Sequence, residues 1–254
     1  MKDLHESLKL IDVDQIDIHE TYEPSRLEKT KESIEADQFI RHPILVVPMN
    51  QGRYMVIDGV HRFTSLKALG CKVIPVQVIH QAQYSIEAWC HKVPCDQLTS
   101  ILSAESDLPW TTEIRYTTPF ITMCYEDIEQ YLYPEDLSTN KMNIWEKVVE
   151  SYSSTCQVER VLQDACTCIT PQEILMKYQP LQFSEIEAIV RKGKTVPAGV
   201  TRFNIAGRCL NLQVPLKLLK EKYSASQLKA WQQFLHDKVT HMRCYNEKVY
   251  LIES

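Results

Sequence analysis

Short apolar runs bounded by turn residues dominate the first third of the chain. Such runs at 43–47, 53–57 and 73–79 predict strands, because β-branched and aliphatic residues cluster in each of them. The turn 50–52 separates the first two runs, so we predict that they form a hairpin. Pro75 interrupts the third run, which predicts an edge strand or a strand start, since proline cannot donate a backbone hydrogen bond.

Two helices are predicted among these strands. Pro24 and Ser25 open a polar stretch that predicts a helix to about Asp37, because proline is tolerated in the first helical turn. A second helix is predicted over 60–69, where Gly70 occupies the position of a helix-ending glycine. The strands and helices together predict an α+β domain.

The remaining two thirds of the chain have weaker patterns. We predict a domain boundary at residue 100, with a nucleotide-binding domain over 1–100 and a mixed, mainly helical domain over 101–254. The stretch 84–106 is predicted to be helical in two pieces broken near Pro94. Further elements are predicted as a strand at 120–124, helices at 142–152, 171–178, 184–192 and 226–241, a loop and strand over 196–208, and a terminal strand at 248–252.

Composition narrows the class of protein. The hydrophobic fraction of 44% and the charged fraction of 24% are typical of a globular protein. The formal net charge of -5 disfavours a dedicated nucleic-acid binder, which normally carries a basic patch. No apolar run is long enough to span a bilayer, and the polar segment 1–10 does not resemble a signal peptide, so we expect a cytoplasmic location.

The cysteines suggest no metal site. The chain has nine of them at scattered spacings and without a Cys-x-x-Cys pair, the nearest approach being Cys166-Thr167-Cys168. We interpret them as reduced and mostly buried thiols that pack as small hydrophobic groups. A redox or haem-sensing role stays open as an alternative.

The strongest chemical feature is the segment 57–62, Ile-Asp-Gly-Val-His-Arg. A strand ends in Asp58, Gly59 makes a tight turn, and a helix begins with His61 and Arg62. The amides and the dipole of a helix start attract phosphate, and a guanidinium can bind two phosphate oxygens. A carboxylate is useful beside phosphates if Mg²⁺ lies between them. In the alternative interpretation, Asp58 only caps the helix.

The segment 41–79 resembles the ParB/sulfiredoxin-type domain. The resemblance rests on the run 43–46, the motif 58–62, Ala68-Leu69-Gly70 and Ile74-Pro75-Val76. It implies that the helix after the motif presents its N-terminus to a nucleotide. Val60 stands where sulfiredoxins have their catalytic cysteine, so reduction of sulfinic acids is not expected. The arginine-rich motif and helix-turn-helix of partition proteins are not found either.

Over most of its length the chain is similar to the free L-serine kinases, in the branch of the staphyloferrin B siderophore gene cluster. The similarity implies that ATP phosphorylates L-serine to O-phospho-L-serine, a precursor of the siderophore building block 2,3-diaminopropionate. Whether ATP or ADP is the donor is not settled by the residues, and ATP is preferred from this resemblance. The segments that carry it are 19–24, 39–43, 56–62, 89–94 and 196–204.

The resemblance also implies roles for individual residues. Glu20 matches the catalytic base, and a carboxylate is a reasonable base for a serine hydroxyl. Asp58 is the candidate ligand of Mg²⁺ and a second catalytic residue. The remaining candidates are the nucleotide-binding residues Gly59, Val60, His61, Arg62, Arg41 and His42, and the substrate-binding residues Trp89, His91, Thr201 and Arg202.

Two other functions stay open. The siderophore branch implies a regulatory association, so a haem- or nucleotide-responsive regulator that binds DNA is the alternative. Against it stand the acidic net charge and the lack of a recognisable reading helix. A nuclease is the weakest option, because one aspartate and one histidine give little support for two-metal chemistry.

Overall fold

The fold is described from a computed structural model over residues 2–104, 108–137, 141–163 and 170–244. The chain forms two compact units that alternate along the sequence. The first unit contains the residues up to Asp17, Tyr22–Gln83 and the residues from Ala206 onward. The second unit contains Ile18–Thr21 and Tyr84–Ile205. The chain therefore enters the second unit after Asp17 and after Gln83 and leaves it after Thr21 and after Ile205, whereas the domain boundary predicted from the sequence lies at residue 100.

A mixed five-stranded sheet forms the core of the first unit. Its strand order is β1-β6-β4-β5-β2, in which β4 runs parallel to β6 and the β4–β5 and β1–β6 pairs are antiparallel. The predicted hairpin is thereby confirmed. The strands are β1 (Leu8–Asp12), β2 (Ile16–Ile18), β4 (Ile44–Pro48), β5 (Tyr54–Asp58) and β6 (Val73–Val78), and the short β3 (Phe39–Ile40) pairs outside this sheet.

The expectation of an edge position for Pro75 is wrong. The strand β6 lies between β1 and β4, and each of its six residues is buried. Pro75 is tolerated there because pairing with β4 begins only at Val76, so the missing N–H costs no hydrogen bond on that side.

The helices of the first unit include the two predicted ones. The first begins at Pro24 and ends before Gln38, which adopts a left-handed conformation with φ of 59°. The second runs from Val60 to Ala68, and the two helices contact each other. In chain order the helices of this unit are α1 (Lys2–Ser7), α2 (Pro24–Asp37), α3 (Val60–Ala68) and, after three helices of the second unit, α7 (Ala225–Val239).

The second unit is built on another sheet, whose strand order is β10-β7-β11-β8-β9, with β12 paired to β7. Large aromatic side chains, among them Phe120 and Trp145, fill its core. The elements are β7 (Tyr84–Pro94), α4 (Leu98–Leu102), β8 (Ile121–Tyr125), β9 (Ile128–Leu132), α5 (Lys141–Ser153), β10 (Glu159–Leu162), β11 (Glu173–Tyr178), α6 (Phe183–Arg191) and β12 (Thr201–Ile205), while β13 (Val214–Pro215) pairs with β3 in the first unit.

Two helix predictions in this unit are wrong. The first of the two helical pieces predicted over 84–106 is the eleven-residue strand β7, whereas the second contains α4, and the predicted helix at 171–178 is the strand β11. Both strands are interior to the sheet and bonded on two sides. In β11 the three consecutive residues Ile174, Leu175 and Met176 are buried, so both faces are covered and the apolar run resembles that of a buried helix.

Several other predicted elements agree with the fold where it is described, but the mainly helical character predicted for 101–254 is not confirmed, because β8 to β12 lie there as well. The α+β class is confirmed, as are the strand near 120–124 and helices near 142–152, 184–192 and 226–241. The terminal strand at 248–252 and the pair Cys166 and Cys168 lie outside the described residues. None of the helices in the described part of the chain has both the length and the apolarity that crossing a membrane requires.

Candidate functional site

The residues 58–62, here called the phosphate turn, connect β5 to α3 in the first unit. Gly59 is the N-cap of α3 and has φ of 95°, a left-handed conformation that a residue with a side chain rarely adopts. A Cβ atom at this position would lie 2.9 Å from Arg62 Nη2. The first helical hydrogen bond runs from Phe63 N–H to the carbonyl of Gly59, so the preceding amides lie ahead of the helical ladder. The turn therefore has the strand-glycine-helix geometry that binds anions.

Asp58 does not cap the helix. A β-bulge between Leu45 and Val46 alters the register at the end of β5, and Asp58 pairs with Leu45 across it. The Asp58 Oδ2 atom accepts hydrogen bonds from Arg62 Nη2 at 3.0 Å and from Arg208 Nη1 at 2.9 Å. The carboxylate thus orients two guanidinium groups beside the phosphate turn.

The other predicted nucleotide ligands are held by protein groups. Arg62 Nη1 donates to the carbonyls of His42 and Pro43 at 3.1 and 3.0 Å, which ties α3 to the segment before β4. His61 Nε2 accepts from Glu23 N–H at 3.2 Å, so in this contact the ring is neutral and carries its proton on Nδ1.

Arg41 and His42, in the segment before β4, are also bonded to protein groups. His42 Nδ1 accepts from Asn211 N–H at 2.8 Å. Arg41 forms an ion pair of 3.7 Å with Asp37. Val60 is only 3% exposed, so it can offer a ligand its backbone amide alone. The first unit thus brings the phosphate turn, Arg41 and His42 together.

Glu20 belongs to the second unit, where a short ladder holds it. Val196 N–H donates to the carbonyl of His19, and Thr21 N–H donates to the carbonyl of Val196. Glu20 Oε2 accepts from Gly199 N–H at 3.0 Å. Sequence reasoning identifies Glu20 through the family resemblance, but it gives no sign of the glycine that holds the carboxylate.

Gly199 is a second glycine whose conformation matters. Its φ is 72°, and a Cβ atom there would lie 2.2 Å from the guanidinium carbon of Arg160. The Arg160 guanidinium therefore packs directly against the Gly199 backbone. Neither Arg160 nor Gly199 is among the predicted site residues.

All four predicted substrate ligands lie on β7 and β12. The Arg202 guanidinium stacks 4.8 Å from the centre of the Trp89 ring and forms an ion pair with Glu87. Thr201 is 8% exposed, and its buried hydroxyl oxygen has no hydrogen-bond partner among the described residues. A buried hydroxyl without a partner is costly, which is consistent with a site that a ligand completes.

The fourth predicted ligand, His91, lies in the interior of the second unit. It is 1% exposed, and both ring nitrogens bond to protein groups: Nδ1 to the Tyr152 hydroxyl at 2.7 Å and Nε2 to the Gly199 carbonyl at 2.8 Å. Burial lowers the pKa of His91 to about 4, and the nearby Arg160 adds to this effect. The structure thus gives His91 no direct access to a substrate.

The carboxylate of Asp58 has the oxygen donors that Mg²⁺ prefers. The described residues contain no group of three or more His, Cys, Asp or Glu side chains that would enclose a metal. Mg²⁺ does not require one, because it usually binds one or two carboxylates and takes its other ligands from water and substrate phosphates. The arginines bond Oδ2 of Asp58, which leaves Oδ1 for such an ion.

Comparison with known proteins gives the class of this molecule first. The protein-family model of the ParB N-terminal domain matches residues 2–88, which include the five-stranded sheet and the phosphate turn. The first unit therefore contains a ParB-type domain, as the sequence motif predicts.

Full-length comparison identifies the family. The chain is 64% identical to the ATP-dependent L-serine kinase SbnI of Staphylococcus aureus over 254 residues, 100% of both chains. The structure of C-terminally truncated SbnI from Staphylococcus aureus matches with a TM-score of 0.89 at 63% identity, covering 94% of this chain and 100% of that one. The chain belongs to the family of the ATP-dependent L-serine kinase SbnI.

More distant relatives share the fold. A mutant of a free serine kinase in complex with ADP matches with a TM-score of 0.69 at 14% identity, over 84% of this chain and 94% of that one. An ATP-dependent L-serine kinase of Staphylothermus marinus is 39% identical over 71 residues, which are 28% of each chain.

Proposed function

We propose that this chain is a kinase that transfers the γ-phosphoryl group of ATP to the hydroxyl of free L-serine, producing O-phospho-L-serine and ADP. The observation that carries this proposal is the 64% identity to an ATP-dependent L-serine kinase along the whole chain. The strand-glycine-helix geometry of the phosphate turn supports it independently, because that geometry suits a nucleotide's phosphates.

In this proposal the first unit binds the nucleotide. The backbone amides at Gly59, Val60 and His61 surround the phosphates, and the helix dipole of α3 favours their negative charge. Arg62 and Arg208 add positive charge from positions fixed by Asp58. Phosphoryl transfer depends mainly on positioning and charge stabilisation, so fixed cations are the appropriate device.

Mg²⁺ would be held by Asp58 together with phosphate oxygens and water. Bound there, it would neutralise charge on the nucleotide, as metal ions do in other phosphoryl-transfer enzymes. Arg41 and His42 stay candidates for further nucleotide contacts, since Arg62 links their segment to the phosphate turn.

Glu20 is the proposed base, and the proposed serine-binding residues lie on β7 and β12. Glu20 accepts the proton of the serine hydroxyl as that oxygen attacks the γ-phosphorus and ADP leaves with the electrons of the broken P–O bond. Its Oε2 is held by Gly199, which leaves Oε1 to take the proton. Thr201 offers an unpartnered buried hydroxyl, and Trp89 and Arg202 form a stacked pair near it on the same two strands.

The product would serve as a precursor of 2,3-diaminopropionate in siderophore synthesis. That metabolic role is part of the proposal and follows from the family branch rather than from any contact in the fold. The alternative of a haem- or nucleotide-responsive DNA-binding regulator gains no specific support from the described residues.

A phosphorylation assay tests the proposal. Purified protein with ATP, Mg²⁺ and a mixture of free amino acids should yield O-phosphoserine, detected by mass spectrometry. Glu20→Gln should lower kcat at least about 100-fold, because general-base catalysis contributes roughly 10²–10⁴-fold. Glu28→Gln, on the exposed surface of α2, is the matched control and should leave kcat unchanged. Absence of phosphoserine from the wild-type reaction would refute the proposed activity.

A further inference from the structure

A chain of buried polar groups runs through the second unit and ends at Gly199. His91 and Tyr178 are 1% and 2% exposed, and Tyr152 is fully buried. Tyr152 bonds His91 Nδ1 at 2.7 Å, and the two tyrosine hydroxyls bond each other. His91 Nε2 bonds the carbonyl of Gly199 at 2.8 Å. Four groups are thus linked in a row inside an aromatic core.

The direction of each hydrogen bond follows from chemistry. A carbonyl only accepts, so His91 Nε2 carries the proton and donates to Gly199. The unprotonated Nδ1 then accepts from the Tyr152 hydroxyl, and the oxygen of Tyr152 accepts from Tyr178. Every member of the row is satisfied only while His91 is neutral in this tautomer. The row is therefore a fixed structure and has a single direction.

Gly199 connects this row to Glu20. Its carbonyl accepts from His91, and its own N–H donates to Glu20 Oε2 at 3.0 Å. These two groups belong to the peptide planes on either side of one Cα atom, so fixing both planes fixes φ and ψ of Gly199. The Arg160 guanidinium fills the space beside that Cα atom and limits other conformations.

We propose that His91 is a positioning residue for the kinase reaction: through the Gly199 peptide it holds the Glu20 carboxylate in the orientation in which Oε1 faces the serine hydroxyl. The inference rests on the proposed function, because it takes Glu20 as the base. His91 makes no substrate contact in this account. Tyr152 and Tyr178 in turn hold His91 in the required tautomer.

Two His91 variants test the donor. His91→Met fills the space but cannot donate to the Gly199 carbonyl, whereas the amide N–H of His91→Gln can. We expect His91→Met to lower kcat roughly 100-fold, the effect of misplacing a reacting group by about 1 Å, with KM for ATP unchanged. His91→Gln should recover most of that loss. Protein is counted by ADP-binding stoichiometry, so misfolded molecules do not enter kcat.

A double mutant separates positioning from general destabilisation. If His91 acts through Glu20, adding His91→Met to Glu20→Gln should cause no further loss of kcat, because the base whose orientation His91 controls is already absent. Multiplicative losses in the double mutant would overturn the proposal, and so would wild-type kcat in His91→Met. An inactive Glu20→Gln beside a fully active His91→Met would refute the positioning role alone, while a fully active Glu20→Gln would refute the base assignment and the positioning role together.

A backbone variant gives an independent test. Gly199→Ala places a Cβ against Arg160, whereas Gly193→Ala has a similar φ of 70° and no atom within 4 Å. We expect Gly199→Ala to reproduce the kcat loss of His91→Met, and Gly193→Ala to keep wild-type kcat despite the same backbone strain. Equal kcat values in the two alanine variants would contradict the role of Gly199 as the connection.

Discussion

His91 is neutral because its imidazole is buried and has one donor and one acceptor to satisfy. The pKa of His91 is lowered from 6.5 to about 4, first by burial and further by the charge of Arg160. Burial raises the pKa of both Tyr152 and Tyr178. Their hydroxyls therefore stay protonated and provide no negative charge that would stabilise a charged His91. A histidine in such a place makes stability depend on pH.

The sign of that dependence is fixed by the direction of the shift. Between pH 4 and 6.5, His91 binds a proton in the unfolded chain but not in the folded protein. The free energy of unfolding therefore falls as the pH drops through this window. The loss between pH 7 and pH 4 should be about 3 kcal/mol. Urea denaturation of wild-type protein and His91→Gln at both pH values measures it. Identical pH dependence in the two proteins would be inconsistent with a neutral buried His91.

The phosphate turn shows how one element combines backbone conformation and charge. The strand β5 ends at a bulge, the glycine adopts a conformation with φ of 95°, and the helix α3 begins with its amides directed away from the ladder. Arg62, one turn into the helix, returns to bond Asp58 at the strand end. Both ends of the turn are thereby fixed by one ion pair.

Substitution of Gly59 should separate strain from function. Gly59→Ala adds about 1–2 kcal/mol of backbone strain and displaces Arg62, so we expect weaker ADP binding as well as lower stability. Gly70→Ala, at φ of 76° with no atom within 4 Å, carries the strain without the contact. Isothermal titration with ADP and thermal unfolding distinguish the two. ADP affinity that falls equally in both variants would argue against a phosphate site at this turn.

The fold of the first unit depends on chain segments far apart in sequence. The chain leaves this unit at Gln83 and returns at Ala206. The buried side chain of Gln77 on β6 holds the returning segment: its Nε2 donates to the carbonyl of Gly207 at 2.7 Å, and its Oε1 accepts from Cys209 N–H at 2.8 Å. These two bonds flank Arg208, whose guanidinium bonds Asp58. One amide side chain therefore orients a guanidinium that belongs to the proposed nucleotide site.

Removal of that amide should affect stability and binding together. Gln77→Leu leaves the buried N–H of Cys209 without a partner, at about 1–3 kcal/mol, and it frees the carbonyl of the exposed Gly207, so that Arg208 is released. We expect ADP binding to weaken about as much as in Arg208→Ala. The exposed Gln81→Leu is the control and should bind ADP normally. Normal ADP affinity in Gln77→Leu would show that Arg208 does not depend on this anchor.

Local sequence patterns predicted some elements and failed on others for a physical reason. The hairpin, α2, α3 and the turn at 58–62 follow from residues that are neighbours in the chain, and the structure agrees with each. The strands β7 and β11 were not recognised, because their partners on both sides come from distant segments. In β11, burial on both faces also removes the alternation of polar and apolar residues that identifies a strand.

The sequence by itself determined the strand-glycine-helix motif, the α+β class and, through family resemblance, Glu20 as the base to test. Only the tertiary structure decided which groups hold these residues. Arg208 reaches Asp58 across 150 positions and Gly199 reaches Glu20 across 179. The tertiary structure also places His91 in the interior of the second unit, and not at the surface where a substrate contact was expected. Such contacts depend on how the strands pair, and pairing between distant segments leaves no local pattern in the chain.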